Sequence, residues 1–102
     1  MSSHRIEISP AAARQLKKID RRVLPLIAGK IDSLAVEPRP PGCEKLGGYK
    51  DLYRVRVKDY RIIYAIEDRL VLIVILKVGN RAEVYQRIRD SDLDFLRSLL
   101  NK

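Results

Sequence analysis

The sequence contains one cysteine, Cys43, and one histidine, His4. A single cysteine excludes an internal disulfide bond and is expected of a protein in a reducing compartment. The two residues are far apart in the sequence and offer no ligand set for zinc, and a Ser-His-Asp triad would have to be built on His4, in a predicted edge strand. We therefore expect no metal, no cofactor and no serine-hydrolase chemistry.

Long apolar runs are also missing. The N-terminal stretch MSSHRIEIS lacks the apolar segment of a signal peptide. The apolar run at residues 70–76 is far shorter than the ~20 residues that a membrane-spanning helix needs. We expect a cytoplasmic protein with no membrane partner.

Acidic residues are few relative to basic ones. The chain has 13 Asp and Glu against 21 Lys and Arg, which gives a net charge of +8 and an isoelectric point near 9.9. Such a balance favours phosphate-rich or acidic partners. Arginines outnumber lysines, and the planar fork of arginine suits phosphate recognition better than the point charge of lysine does.

The composition, 46% hydrophobic and 33% charged over 102 residues, is that of a single globular domain spanning residues 1–102. Ser9 and Pro10 form a helix start, because the serine caps the helix and proline lacks the N–H that would be unsatisfied there. Asp20 is a candidate cap for a second helix, which Pro25 must either delay or bend. The predicted elements are a strand at 4–9, the two helices as a hairpin, a loop at 37–51, three strands as an antiparallel meander, and a helix at 92–101.

This order predicts an α+β fold in which the N-terminal strand and the helical hairpin pack on a small antiparallel sheet, with a C-terminal helix added. The leucines of the last helix recur at helical spacing and should pack on the parent core, with Phe95 to one side. The helical hairpin should cover one face of the sheet and leave a basic face opposite. The run at 70–78 is apolar except for Lys77, as expected of a central strand covered on both faces.

Residues 53–57 alternate, with apolar side chains toward one face of the sheet and Arg54 and Arg56 toward the other. If Lys58 and Asp59 form a two-residue turn, Arg56 lies directly opposite Arg61 on the next strand. Like charges opposite each other destabilise a sheet, so another influence must favour this arrangement, and a bound polyanion would do so. An ordinary solvated sheet face is the alternative.

The stretch YRVRVKDYRIIYAIEDRLVLIVILKVGNRAEVY, and within it DYRIIY and VGNRAEVY, resembles the RelE toxins of bacterial toxin–antitoxin systems. The approach KLGGYKDLYRVRV and the order of the earlier elements fit too, so the resemblance covers nearly the whole chain. It implies the RelE-like microbial RNase fold. It also implies a metal-independent endoribonuclease that enters the A site of the 70S ribosome, cleaves mRNA there by attack of a ribose 2′-OH, and so inhibits translation.

The resemblance implies roles for three residues. Arg61 matches the arginine that stabilises the pentacovalent phosphorane, and Arg81 matches the arginine near the leaving 5′ oxygen. Tyr85 matches the tyrosine that stacks on or orients the nucleotide. Each residue also has an ordinary structural interpretation: a solvated sheet face for Arg61, an ion pair with a nearby carboxylate for Arg81, and a core aromatic for Tyr85.

The sequence departs from the family where some members have lysines, one of them proposed as the general base. Arg54 and Arg56 occupy those positions, and arginine cannot readily take a proton from the 2′-OH. Arg56 is therefore expected to clamp a phosphate, with Arg54, Lys50 and Lys58 as further substrate-binding candidates. The base is left open between Tyr85, Lys50, Lys58 and a group of the ribosome.

The resemblance also implies a cognate acidic antitoxin that binds the toxin in a hetero-oligomer, in agreement with the attraction of a +8 protein for an acidic segment. Two other functions remain open. The related ParE toxins share the fold and inhibit DNA gyrase by binding, without nuclease chemistry. A basic RNA-binding module without catalysis is the third possibility.

Overall fold

The computed structural model describes residues 3–46, 51–80 and 90–100, and in the last range the side chains of 93–99. Lys50, Arg81 and Tyr85 lie outside the described residues. The described elements are β1 (Arg5–Ile8), α1 (Pro10–Lys17), α2 (Leu24–Val36), β2 (Glu44–Lys45), β3 (Leu52–Val57), β4 (Tyr60–Glu67), a 3₁₀ turn (Asp68–Leu70), β5 (Leu72–Asn80) and α3 (Asp90–Leu100).

The described strands form one sheet in the order β1-β5-β4-β3-β2. β1 is an edge strand parallel to β5, and every other neighbouring pair is antiparallel. The α+β class and the antiparallel meander of β3 to β5 are confirmed. The predicted edge position of the N-terminal strand is confirmed, but β1 pairs in parallel with β5, so the sheet as a whole is mixed and not antiparallel throughout. β2 lies in the segment predicted as a loop, and a two-residue strand is too short to show an alternation.

The starts of the first two helices follow from their sequence. The Ser9 hydroxyl accepts a hydrogen bond from the Ala12 N–H at 3.1 Å, so the predicted cap of α1 is confirmed. Asp20 does not cap α2, because its carboxylate is used in a separate turn that precedes the helix. α2 starts late, and Pro25 lies in its first turn, where its missing N–H costs no helical hydrogen bond.

The two faces of the sheet are covered differently. α1 and α2 cover one face, called here the helical face. α3 covers the part of the opposite face that is remote from the β3–β4 turn. The buried sheet residues under α3 are Leu52, Ala65, Leu72, Val74 and Leu76, and the helix packs Leu93, Phe95, Leu96 and Leu99 against them. Leu93, Leu96 and Leu99 therefore pack on the parent sheet as predicted, whereas the prediction that Phe95 lies to one side is wrong.

The predicted β3–β4 hairpin is confirmed in its register. Val57 is paired with Tyr60, and Arg56 is paired with Arg61. Lys58 takes a positive φ of 56° in the intervening turn, the left-handed conformation that tight hairpins use.

The predicted strand at 70–78 is shifted by two residues. Leu70 ends the 3₁₀ turn, and Val71 has a φ of 51°, so both residues belong to the reversal between β4 and β5. Both side chains are exposed. At the other end Gly79 and Asn80 continue β5 instead of ending it, because β4 extends far enough to pair with both.

A β-bulge interrupts β5. Ile63 is paired with Lys77, whereas the next residue, Tyr64, is paired with Ile75, so that Leu76 is an extra residue without a partner on β4. A bulge of this kind turns two consecutive side chains to the same face. Leu76 and Lys77 therefore both face away from α1 and α2.

Two side chains of α1 and its cap hold this bulge in place. The Ser9 hydroxyl donates a hydrogen bond to the Leu76 carbonyl at 3.1 Å, and the Val78 N–H donates to Gln15 Oε1 at 2.8 Å. Since β1 ends at Ile8, these two side chains satisfy backbone groups that have no strand beside them. Val78, the residue after Lys77, is buried in the core of the helical face. The strand therefore returns to its ordinary alternation directly after the bulge.

Candidate functional site

Four cations share the face of the sheet that α3 leaves uncovered, near the β3–β4 turn. Arg54 and Arg56 lie on β3, Arg61 on β4 and Lys77 on β5, and the strand register places all four on the same face. We call this set the cationic face. The three arginines were predicted from the sequence as site residues, whereas no role was predicted for Lys77.

Arg56 and Arg61 are directly opposite each other, as the sequence analysis predicted. Arg56 Nε donates to the Lys58 carbonyl at 3.0 Å, and Arg61 Nη1 donates to the Tyr60 carbonyl at 3.1 Å. Neither guanidinium forms an ion pair with any carboxylate of the described residues. Within the part of the chain that the structure describes, two like charges are thus held together without a neutralising carboxylate, an arrangement that favours an anionic ligand.

Arg54 differs from the other two arginines. Its Nη2 forms an ion pair with Glu44 Oε2 at 2.5 Å, across the β2–β3 pair. The arginine side chain is 18% exposed, whereas that of Glu44 is 66% exposed. Glu44 orients Arg54 and offsets part of its charge, so Arg54 is the less available of the three arginines for a ligand.

The remaining predicted residues are placed as follows. Lys58 is exposed in the β3–β4 turn, next to the Arg56–Arg61 pair, and its carbonyl fixes the Arg56 side chain. Lys50, Arg81 and Tyr85 lie outside the described residues, so their roles stay predictions. The structure thus brings together Arg54, Arg56, Arg61 and Lys58.

A second polar cluster lies away from the cationic face. Arg39 donates through Nη2 to Asp68 at 3.0 Å and through Nε to the Tyr53 hydroxyl at 3.2 Å, and its guanidinium lies 5.3 Å from the centre of the Tyr53 ring. His4 Nε2 is 3.4 Å from the other Asp68 oxygen. The Arg39 hydrogen bond lowers the pKa of Asp68, and the hydrogen bonds to Tyr53 and Asp68 raise the pKa of Arg39.

The cluster is structural, because it ties the segment after α2 to the sheet. Tyr64, next to Tyr53 on the helical face, adds to this, since its hydroxyl donates to the Pro38 carbonyl at 2.6 Å. Burial raises the pKa of Tyr64. None of these contacts was predicted from the sequence, because each joins residues that are more than ten positions apart.

Chemically, the cationic face is suited to binding phosphate groups. Guanidinium groups present several N–H donors in a fixed plane and keep their charge at any physiological pH. They can hold non-bridging oxygens and stabilise charge that develops on the phosphate group, but they cannot act as a general base.

Among the described residues, no helix has the length and apolarity that crossing a membrane would require.

A family described as "ParE toxin of type II toxin-antitoxin system, parDE" matches residues 6–85. The chain belongs to the RelE/ParE family of type II toxin–antitoxin toxins. Toxin RelG of Mycobacterium tuberculosis is 29% identical over 83 residues, which cover 80% of this chain and 95% of RelG. Within the RelE/ParE family, the chain is similar to RelE-like toxins.

Solved structures agree. RelE in the archaeal RelE–RelB complex of Pyrococcus horikoshii is 31% identical, with a TM-score of 0.70 over 78% of this chain and 96% of that one. The isolated RelE toxin of Escherichia coli is 21% identical, with a TM-score of 0.69 over 93% of this chain and 98% of that one. The second likeness shows a common fold alone, and together they confirm the expected RelE-like fold of this toxin.

Proposed function

We propose that this RelE-family toxin is a ribosome-dependent mRNA endoribonuclease that acts in the cytoplasm without a metal ion. The observation that carries the proposal is the Arg56–Arg61 pair. The two guanidinium groups lie opposite each other on one hairpin, and neither has a carboxylate partner among the described residues. Two opposed arginines are suited to bind a phosphate group, because the anion would offset the repulsion between them.

In the proposed reaction the ribose 2′ oxygen attacks the adjacent phosphorus and the bond from phosphorus to the 5′ oxygen breaks. The products are a 2′,3′-cyclic phosphate and a free 5′-OH, so one proton leaves the 2′-OH and one is delivered to the 5′ oxygen. Arg61 stabilises the charge on the non-bridging oxygens, and Arg56 clamps the phosphate. Removing one such donor typically costs about 10²-fold to 10³-fold in rate.

The roles of Arg81 at the 5′ oxygen and Tyr85 on the base rest on the resemblance to RelE toxins. The proton acceptor is one of Tyr85, Lys50, Lys58 or a group of the ribosome. If the ribosome supplies it, the toxin contributes phosphate binding and electrostatic stabilisation only, and messages free of ribosomes should not be cleaved.

A second function has support from one observation, since the matching family is described by the ParE toxins of parDE systems. In that case the protein would inhibit DNA gyrase by binding, and the cationic face would contact the enzyme or its DNA. The RelE-like relatives and structures favour the nuclease.

The solved neighbours include RelE–RelB complexes, and we propose an acidic antitoxin as the partner of this toxin. A net charge of +8 and a face with four cations attract an acidic segment. Expression of the protein alone should therefore arrest growth, and co-expression with the acidic protein of its own operon should restore it. Harmless expression without any such binding partner would contradict this proposal.

The test of the nuclease is inducible expression with primer-extension mapping of cellular mRNA, for wild type, Arg61→Gln, Arg81→Ala and the control Arg14→Gln. Arg14 is exposed on α1, so its replacement removes the same charge on the helical side. Wild type and Arg14→Gln should produce cuts in frame within translated codons, and the other two variants few. Growth arrest with intact messages and equal toxicity of all four proteins would favour gyrase, which a supercoiling assay would then check.

A further inference from the structure

Lys77 is the only charged residue in the run at 72–79, and the bulge in β5 determines where it points. Without the extra residue Leu76, the alternation of the strand would turn Lys77 toward the helical face. With the bulge, Lys77 shares the face of Arg54 and Arg61. Bulges frequently re-aim a side chain beside a functional site.

The position of Lys77 relative to the arginines follows from the register. Arg61 is paired with Gly79, two residues along β5 from Lys77, so Arg61 and Lys77 are diagonal neighbours. Diagonal pairs lie about 7–8 Å apart, within reach of long side chains. Gly79 has no side chain, so β5 adds nothing to this face directly opposite Arg61. One ligand can therefore contact both cations.

The surroundings of Lys77 are unusual for a lysine. The residue is only 7% exposed, and lysines are almost never this buried unless they are paired. Among the described residues, Lys77 forms no ion pair or side-chain hydrogen bond. No side-chain nitrogen of those residues is both buried and without a partner, so the ammonium still reaches the surface at its tip. The stem of Lys77 is therefore packed among its neighbours, and the ammonium is at the surface of the cationic face.

We propose that Lys77 is a further substrate-binding residue, whose ammonium contacts a phosphate of the bound RNA beside the phosphate held by Arg61. The inference rests on the proposed nuclease function and extends its site from β3 and β4 to β5. A lysine as buried as Lys77 is ordinarily paired with an acidic group. Here the nearest cross-strand neighbours that carry charge are arginines, so an anion is the missing partner.

The bulge is supported from the far side of the sheet by Ser9 and Gln15, which hydrogen-bond the backbone of Leu76 and Val78. These are positioning residues, because they touch the strand and not the ligand. Ser9 and Gln15 thus fix the direction of Lys77.

The first experiment measures binding of inorganic tripolyphosphate by calorimetry at low ionic strength, and so does not depend on nuclease activity. The proteins are wild type, Lys77→Met, Lys77→Arg and the control Lys17→Met, which removes one exposed charge from α1. Lys77→Met should bind about tenfold or more weakly, as expected for the loss of a charged hydrogen bond. Lys77→Arg and Lys17→Met should bind nearly as tightly as wild type.

Thermal unfolding checks that the variants are folded. Methionine keeps the apolar stem of Lys77 and removes a charge that lies beside the cation Arg61, so Lys77→Met should be at least as stable as wild type. Unchanged tripolyphosphate binding by a folded Lys77→Met protein would overturn the inference.

The second experiment measures message cleavage on translating ribosomes with the same proteins. We expect Lys77→Met to lose about tenfold to a hundredfold in the rate at low substrate, with most of it recovered in Lys77→Arg. Equal cleavage by wild type and Lys77→Met would overturn the inference and leave the nuclease intact. A wild type that cleaves no message but binds tripolyphosphate through Lys77 would refute the nuclease and retain the anion site.

Discussion

Replacing Arg56 by glutamine should stabilise the folded protein while weakening its action on RNA. Arg56 and Arg61 are directly opposed on neighbouring strands, with about 5 Å between their Cβ atoms. Two unit charges ~6 Å apart repel by about 0.7 kcal/mol in bulk water and by more at a protein surface. Because Arg56 is exposed, the repulsion is near the value for bulk water. The loss of the hydrogen bond from Arg56 to the Lys58 carbonyl offsets part of the stabilisation.

The expected net gain in the free energy of unfolding is about 0.2–1 kcal/mol, or an increase in Tm of about 1–6 °C for a domain of this size. Urea and thermal unfolding at low ionic strength measure it. Near ~1 M salt, where the Debye length is about 3 Å, most of the gain should disappear. Arg14→Gln, on the opposite side of the molecule, should change stability little at either salt concentration.

A double-mutant cycle with Arg61→Gln isolates the repulsion. If the repulsion is as inferred, either single replacement relieves it, so the stabilisation of the double variant should be smaller than the sum of the two single gains. Additive effects, or a destabilised Arg56→Gln protein at low salt, would refute the reasoning that the site holds uncompensated charge. A bound polyanion should likewise increase the Tm of wild type more than that of Arg56→Gln.

Three further changes test the framework of the fold. Ser9→Ala removes both the cap of α1 and the hydrogen bond to the bulge, and should lower the free energy of unfolding by about 1–3 kcal/mol in urea denaturation. Tyr64→Phe should cost about 1 kcal/mol through the lost bond to Pro38. Because the pKa of Tyr64 is raised, its contribution is present below about pH 10 and lost at higher pH, so wild type and Tyr64→Phe should converge in alkaline unfolding curves. The pKa of Asp68 is lowered by Arg39, so the small advantage of wild type over Asp68→Asn should be present above about pH 4 and decline as acid titrates the carboxylate.

The strand alternation and the turn residues were sufficient to predict the core of the site. Lys58 at the turn fixes the register of the hairpin, and a register error of one residue would have moved Arg56 to the apolar face. Sequence periodicity therefore predicted the opposition of Arg56 and Arg61. It also predicted the cap at Ser9, because that signal is local.

Non-local pairing accounts for what the sequence analysis missed. The parallel partner of β1 is separated from it by both helices and three strands, so no local pattern identifies it. The bulge at Leu76 depends on the difference in length between two paired segments, and β5 contains an unbroken apolar run that shows no change of period. The role of Lys77 was hidden for the same reason, since its face is known only once the bulge is known.

The division of one sheet face between α3 and the cations has a consequence for the chemistry. Leu76 and Lys77 are adjacent in β5 and point to the same side, one into the apolar contact with α3 and the other into the cationic face. The apolar contact lowers the effective dielectric constant beside Lys77, and charge interactions strengthen as that constant falls. Because of the bulge, Leu76 and Lys77 are neighbours in the strand, yet one belongs to the apolar contact with α3 and the other to the cationic face. A phosphate bound at that boundary is expected to gain more from Lys77 than from an exposed lysine such as Lys58, because less of the attraction is lost to solvent.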